Sequence, residues 1–128
     1  MRLPLVVFAA SCVAFPALAV LPPEAYEQAR AQAPHVVVLT VRRVDWNGGL
    51  RGAGHCRVVG TVKAVERGSH YRVGGPIEVK VPCARRGASI PAGPVLWKDP
   101  DRLKRSRTGR AYMSEPGELA RSQYEVLN

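Results

Sequence analysis

Cys56-Arg57-Val58-Val59-Gly60-Thr61-Val62-Lys63-Ala64-Val65 and Pro76-Ile77-Glu78-Val79-Lys80-Val81-Pro82-Cys83 are the two stretches on which the fold of this chain turns. Both are short, rich in β-branched residues and bounded by Gly and Pro, the pattern of strands. If they form an antiparallel ribbon with Cys56 opposite Cys83, the pairing sets Val58 against Val81, Gly60 against Val79 and Val62 against Ile77 on one face. The other face then holds Val59 with Lys80, Thr61 with Glu78, and Lys63 with Pro76. One face is apolar and the other mixed, so the register that would join the cysteines is also the one that sorts the side chains. The same arithmetic puts Ser69 and His70 at the tip of the ribbon.

Whether those cysteines oxidise depends on the compartment, and the N-terminus speaks to that. Arg2 precedes the apolar run Leu3 to Phe15, which ends at Ala17-Leu18-Ala19, the small-x-small pattern of a secretory leader. Residues 1–19 are therefore expected to be a signal peptide cleaved after Ala19, leaving Val20 first. Pro4 and Pro16 interrupt the run, which falls short of the roughly 20 residues that a membrane-spanning helix needs. A lipoprotein cut before Cys12 would leave a very short leader and an apolar new N-terminus, and is set aside. Arg outnumbers Lys, and Ala, Gly, Pro and Val are abundant, which suggests a GC-rich bacterial genome and a periplasmic or secreted protein.

Cleavage leaves Cys56 and Cys83 as the only cysteines, and in an oxidising compartment such a pair is most simply a disulfide. A metal site built on His55 and Cys56 is disfavoured, because neighbours on a strand point to opposite faces. No metal and no cofactor are expected. Removing Arg2 from nineteen Lys and Arg leaves eighteen against ten Asp and Glu, a formal charge of +8. That charge favours anionic partners.

Outward from the ribbon, Pro22-Pro23 followed by Glu24 to Gln32 predicts a short helix within an N-terminal segment 20–34. His35 to Val44 is a β-branched run expected to be a buried strand. Asp45 to Gly54 carries four glycines and is expected to be a loop displaying Trp46. Arg85 to Pro94 is turn-rich. Asp99-Pro100-Asp101 reads as the start of a basic helix running from Arg102 to Thr108 and stopping at Gly109. Arg110 to Met113 and Gln123 to Leu127 read as the last strands, joined through Ser114 to Glu118.

Strand, strand, strand, helix, strand, strand is the element order of the OB-fold, a small barrel of five strands. The chain resembles that fold over about residues 35–127, and Val58 to Val65 resembles its curved second strand, with Gly60 at the bend. The expected fold is thus mainly β: an OB-like Greek-key barrel over 35–128, with one short N-terminal helix and one short helix between strands 3 and 4. With a disulfide, a preceding helix and the closing strand Gln123 to Leu127, it looks most like the netrin-like branch, which includes the tissue inhibitors of metalloproteases. Those inhibitors chelate the protease zinc through an N-terminal cysteine, and Val20 stands there instead, so no inhibitory residue carries over. The chain is also similar to small exported proteins of bacteria, a likeness that supplies no activity.

The resemblance implies ligand binding on the face of strands 2 and 3 and at the loops joining strands 1–2 and 4–5. Candidate residues there are Trp46 and Arg51 in the Gly-rich loop, able to stack on a ring and meet an anion, with Lys63 and Lys80 on the strands. Lys104, Arg105 and Arg107 form a second basic cluster. No Ser-His-Asp or Cys-His arrangement, paired carboxylates or phosphate loop is spaced for catalysis, and no catalytic residue is assigned. The sequence points to an exported, non-catalytic module that docks an anionic envelope polymer or acidic protein through a basic surface. An inhibitor or accessory subunit of an extracytoplasmic enzyme or assembly is the alternative reading, and nucleic-acid binding at the cell surface a third.

Overall fold

A computed structural model describes residues 2–4, 9–11, 21–49, 51–90 and 92–128. The expected cleavage point after Ala19 and the thiol of Cys12 lie outside the described residues. The elements run α1 (Pro23–Gln32), β1 (His35–Gly48), β2 (Ala53–Arg67), β3 (Pro76–Ala84), α2 (Pro100–Arg105), β4 (Thr108–Glu115) and β5 (Glu118–Val126). The strands close into a barrel in the order β1-β2-β3-β5-β4, the OB-like arrangement expected from the element order. All neighbours are antiparallel except β3 and β5, which meet in parallel at the rung Lys80–Glu118. Lys80 N–H donates to the Gly117 carbonyl at 3.2 Å beside that rung.

Strand β2 is shared between two partners. It pairs with β1 over its whole length and with β3 only as far as the rung Thr61–Pro76. Beyond that point Val62 exchanges backbone hydrogen bonds with Gly74 and Gly75, and β2 follows β1 away from β3. A β-carbon at Gly60 would collide with the Thr40 carbonyl, so glycine lets the two strands approach where the sheet bends.

The interior is apolar and comes from alternate positions of every strand: Val37 and Leu39, Val58 and Val62, Val79 and Val81, Ala111 and Met113, and Tyr124. Leu103 of α2 is fully buried among them and anchors that helix in the barrel. Helix α1 packs on β5 and is held by polar contacts: Tyr26 Oη donates to the Pro94 carbonyl at 3.1 Å and Arg30 to Gln123 at 2.6 Å. Arg67 of β2 donates to the carbonyls of Arg30, Ala31 and Ala33 at 2.9, 3.2 and 2.7 Å, filling acceptors that the end of α1 leaves open.

Several expectations are corrected. Cys56 faces Val81, and Cys83 faces Gly54, so the ribbon is shifted by two residues: Val58 opposes Val79 and Gly60 opposes Ile77. An even shift leaves every side chain on its own face, so the apolar pattern is equally served by both registers. The disulfide still forms, as a diagonal bridge with a Cα separation of 5.8 Å. Ser69 and His70 do not cap a ribbon; they sit in a separate loop where β2 and β3 have already parted. The expected loop 45–54 is mostly strand, because Asp45 to Gly48 pair with Arg57 to Gly54. Helix α2 spans Pro100–Arg105 and stops at Ser106, whose hydroxyl and N–H both turn back to the Leu103 carbonyl, as β4 begins pairing at Thr108. The last two strands are longer than expected and turn at Pro116-Gly117.

Both half-cystines are fully buried and separated by 27 residues. In the chain-entropy picture a bridge of that span stabilises the fold by about 3–4 kcal/mol. The Cys56→Ala/Cys83→Ala double variant should therefore lose at least about that much in chemical denaturation, since it also leaves unfilled space in the core.

Candidate binding groove

The outer face of β1, β2 and β3 is built from three successive rungs. Asn47, His55 and Pro82 form one, Asp45, Arg57 and Lys80 the next, and Arg43, Val59 and Glu78 the third. Because side chains alternate along a strand, these odd positions of β1 and β2 and even positions of β3 all leave the barrel on the outside. The β4–β5 turn, Pro116-Gly117, stands over them. Two adjoining hollows of about 550 Å³ each result, sharing Arg57, Glu78 and Gly117. One is lined by Asp45, Asn47, His55 and Lys80. The other runs past Arg43, Val59 and Pro116 to Tyr71 and Pro76.

Charges alternate across the floor. Asp45 accepts from Arg43 Nε at 3.0 Å and from Arg57 Nη2 at 3.0 Å, and Arg57 Nε reaches Glu78 at 2.8 Å. The hydrogen bond from Arg57 leads the effects that hold the Asp45 carboxyl below its ordinary value. The same bond holds the Arg57 guanidinium in its charged form. Arg57 and Lys80 oppose one another on neighbouring strands, a like-charge pair that the two carboxylates offset. Lys80 itself forms no ion pair among the described residues. A smaller hollow continues from His55 and Lys80 to Glu118 and Ser122. Ser122 and its neighbour Arg121 adopt left-handed backbone angles, φ 60° and 45°, in the irregular middle of β5.

Of the residues that the sequence singled out, Lys80 lines this groove and Lys63 does not, since Lys63 lies on β2 past its last rung with β3. Trp46 pairs with fully buried Cys56 and shares its inward face, so its indole packs on the core. The Arg85 guanidinium lies 5.3 Å from the centre of the ring. Arg51 sits in the turn between β1 and β2, where the chain after β3 returns to it: Arg85 N–H donates to Gly52 and Ser89 N–H to Arg51. Arg51, Arg85 and Arg86 are thereby gathered at one end of the barrel. Lys104, Arg105 and Arg107 are exposed on and after α2. A separate hollow of about 260 Å³ there is lined by Arg102, Arg105 and the C-terminal residues Val126 to Asn128.

Asp45, Asn47, His55, Arg57 and Glu78 are groove residues that the sequence reading did not single out. Strand parity would have found His55 and Arg57, which share the face of Val59. Asp45 and Asn47 were hidden by the assignment of their segment to a loop. Among the described residues no three His, Cys, Asp or Glu side chains converge as a metal site. Comparison with protein-family models, with curated proteins and with solved structures finds no match. Fold and face together define the class: an OB-like barrel with a groove on the outer face of β1, β2 and β3, beneath the β4–β5 turn.

His55, though exposed, titrates below its ordinary value of 6.5, first because the surrounding protein partly desolvates the ring and then because Lys80 is close. The unfolded chain accordingly takes up this proton before the folded one does. His55 therefore subtracts stability as the pH falls below about 6.5 and has no such effect well above it. Calorimetric melting of His55→Gln should show a smaller loss of Tm between about pH 7.5 and pH 5 than the parent protein.

Proposed function

We propose that this protein is an exported, non-catalytic binding module that docks an anionic partner, an acidic envelope polymer or an acidic protein, through its cationic surface. The distribution of ion pairs carries the reading. Asp45, Glu66, Glu78 and Glu125 are taken up by Arg43, Arg57 and Arg110. Arg51, Arg85 and Arg86 at one end, and Arg102, Lys104, Arg105 and Arg107 around α2, form no ion pair among the described residues. The positive excess of the chain is thus left on exposed side chains rather than neutralised within the fold. Such a surface attracts polyanions and steers their approach. The groove, two hollows long, suits an extended segment of a partner more than a compact one.

Export enters through the leader expected over residues 1–19 and through the disulfide, which persists in oxidising compartments. No helix among the described residues is long and apolar enough to cross a membrane.

Binding to heparin and to DNA, measured from about 50 to about 200 mM salt, should weaken steeply. Replacing Arg51, Arg85 and Arg86 by Gln, or Lys104, Arg105 and Arg107 by Gln, should flatten that salt dependence. If instead one envelope protein is retained at high salt, and equally by both charge-removed variants, the accessory or inhibitory role implied by the netrin-like resemblance replaces this reading.

A further inference from the structure

Strand β1 runs from the groove at Asn47 back to His35, and a second cluster of side chains gathers there. His35 opens β1 opposite Met113 of β4, so both side chains leave the sheet on one face. Met113 is fully buried. The loop after β2 folds over this rung. Its His70 ring lies 6.2 Å from that of His35, centre to centre, and the Tyr71 ring packs edge-on to His70 at 4.8 Å. Tyr71 Oη donates to Met113 Sδ at 3.7 Å, so Tyr71 links the histidine pair to the sulfur, and His35 and Met113 are partners across the ladder.

Gly68 makes the approach possible. Its φ is 93°, and a β-carbon there would lie 2.8 Å from His35 Nδ1 and 2.7 Å from the Pro34 carbonyl, so a side chain is excluded on both counts. Yet the nitrogen that this backbone shelters is unused: His35 Nδ1 is buried and has no hydrogen-bond partner. Buried polar atoms without partners are rare in native proteins, and an ion or water is among the standard reasons for one.

We propose that His35 and His70, with the Met113 thioether, bind one soft monovalent metal ion of the Cu(I) kind. The donors that the His35–Met113 rung and the loop over it bring together are two imidazoles and a thioether, and none of these groups is a carboxylate. Thioether sulfur selects soft ions, whereas Mg, Ca and Mn sites are built from carboxylate and carbonyl oxygen. Two imidazoles sharing an ion, each bonded at about 2.0 Å, hold their ring centres about 5–6 Å apart. The 6.2 Å separation is within a small swing of the exposed His70 side chain. Tyr71 directs the sulfur and also lines the groove, so an ion held here would stiffen one groove wall. The site shares no residue with the His55 and Cys56 arrangement that strand geometry disfavours.

The test is competition for Cu(I), kept reduced, against a chromophoric Cu(I) chelator. The protein should withdraw one equivalent. His70→Ala, a change on an exposed loop, should weaken binding at least about tenfold, as should His35→Gln. Met113→Leu, close in volume, should weaken it without unfolding the barrel. Failure to withdraw Cu(I) overturns the site, as does a His70→Ala protein that melts and binds like the parent. Cu(I) uptake unchanged in Met113→Leu also overturns it, because the thioether is what selects a soft ion.

Discussion

Strand β2 is bound on both sides as far as Val62 and follows β1 alone after it, and the barrel is organised by that change of partners. The doubly paired half carries Cys56, Val58 and Gly60 inward and His55, Arg57 and Val59 outward, so one strand supplies the disulfide, part of the core and the middle of the groove. The second half stays on β1, and the loop leaving it is what brings His70 and Tyr71 over Met113. Gly60 stands at the bend, against the Thr40 carbonyl. A larger residue there would push β2 off β1 at the point where three strands share it.

The electrostatic layout follows from the same rungs. Facing Arg57 with Lys80 across neighbouring strands is unfavourable unless acids intervene, and Asp45 and Glu78 are the acids that do. Arg110 on β4 draws Glu66 and Glu125 in the same way. Most of the ion pairing is thus internal bookkeeping between strands, worth little apiece at such exposed positions. Its larger effect is subtractive, since carboxylates engaged on the sheet do not shield the arginines of the turns and of α2.

Element order and alternation were legible in the sequence because both are properties of single segments. Register was not, because a period of two cannot distinguish pairings that differ by two residues, and a disulfide accepts the diagonal geometry as readily as the opposite one. The misreading of Asp45 to Gly48 has a similar origin. Glycines and Asn47 signal a loop when read alone, yet Asn47 and Gly48 meet His55 and Gly54 across the ladder, which only the partner strand can reveal. With that segment taken as loop, the parity that turns Trp46 inward and Asp45 outward was lost, and the groove floor with it. The His35 and His70 pairing lay further out of reach, since 35 positions separate them and no local pattern joins them.

Arg67 closes the carbonyl end of α1 from 34 to 37 positions further along the chain, and Gln123 holds Arg30 from 93 positions away. A ten-residue helix in isolation is marginal in water. The order of synthesis and the order of consolidation therefore run against each other. Helix α1 leaves the ribosome before any strand, but the groups that fasten it emerge with β2 and then with β5. Until the last strand is in place Arg30 lacks its Gln123 partner and α1 lacks the strand it packs on, so complete docking of the helix requires β5 as well as β2.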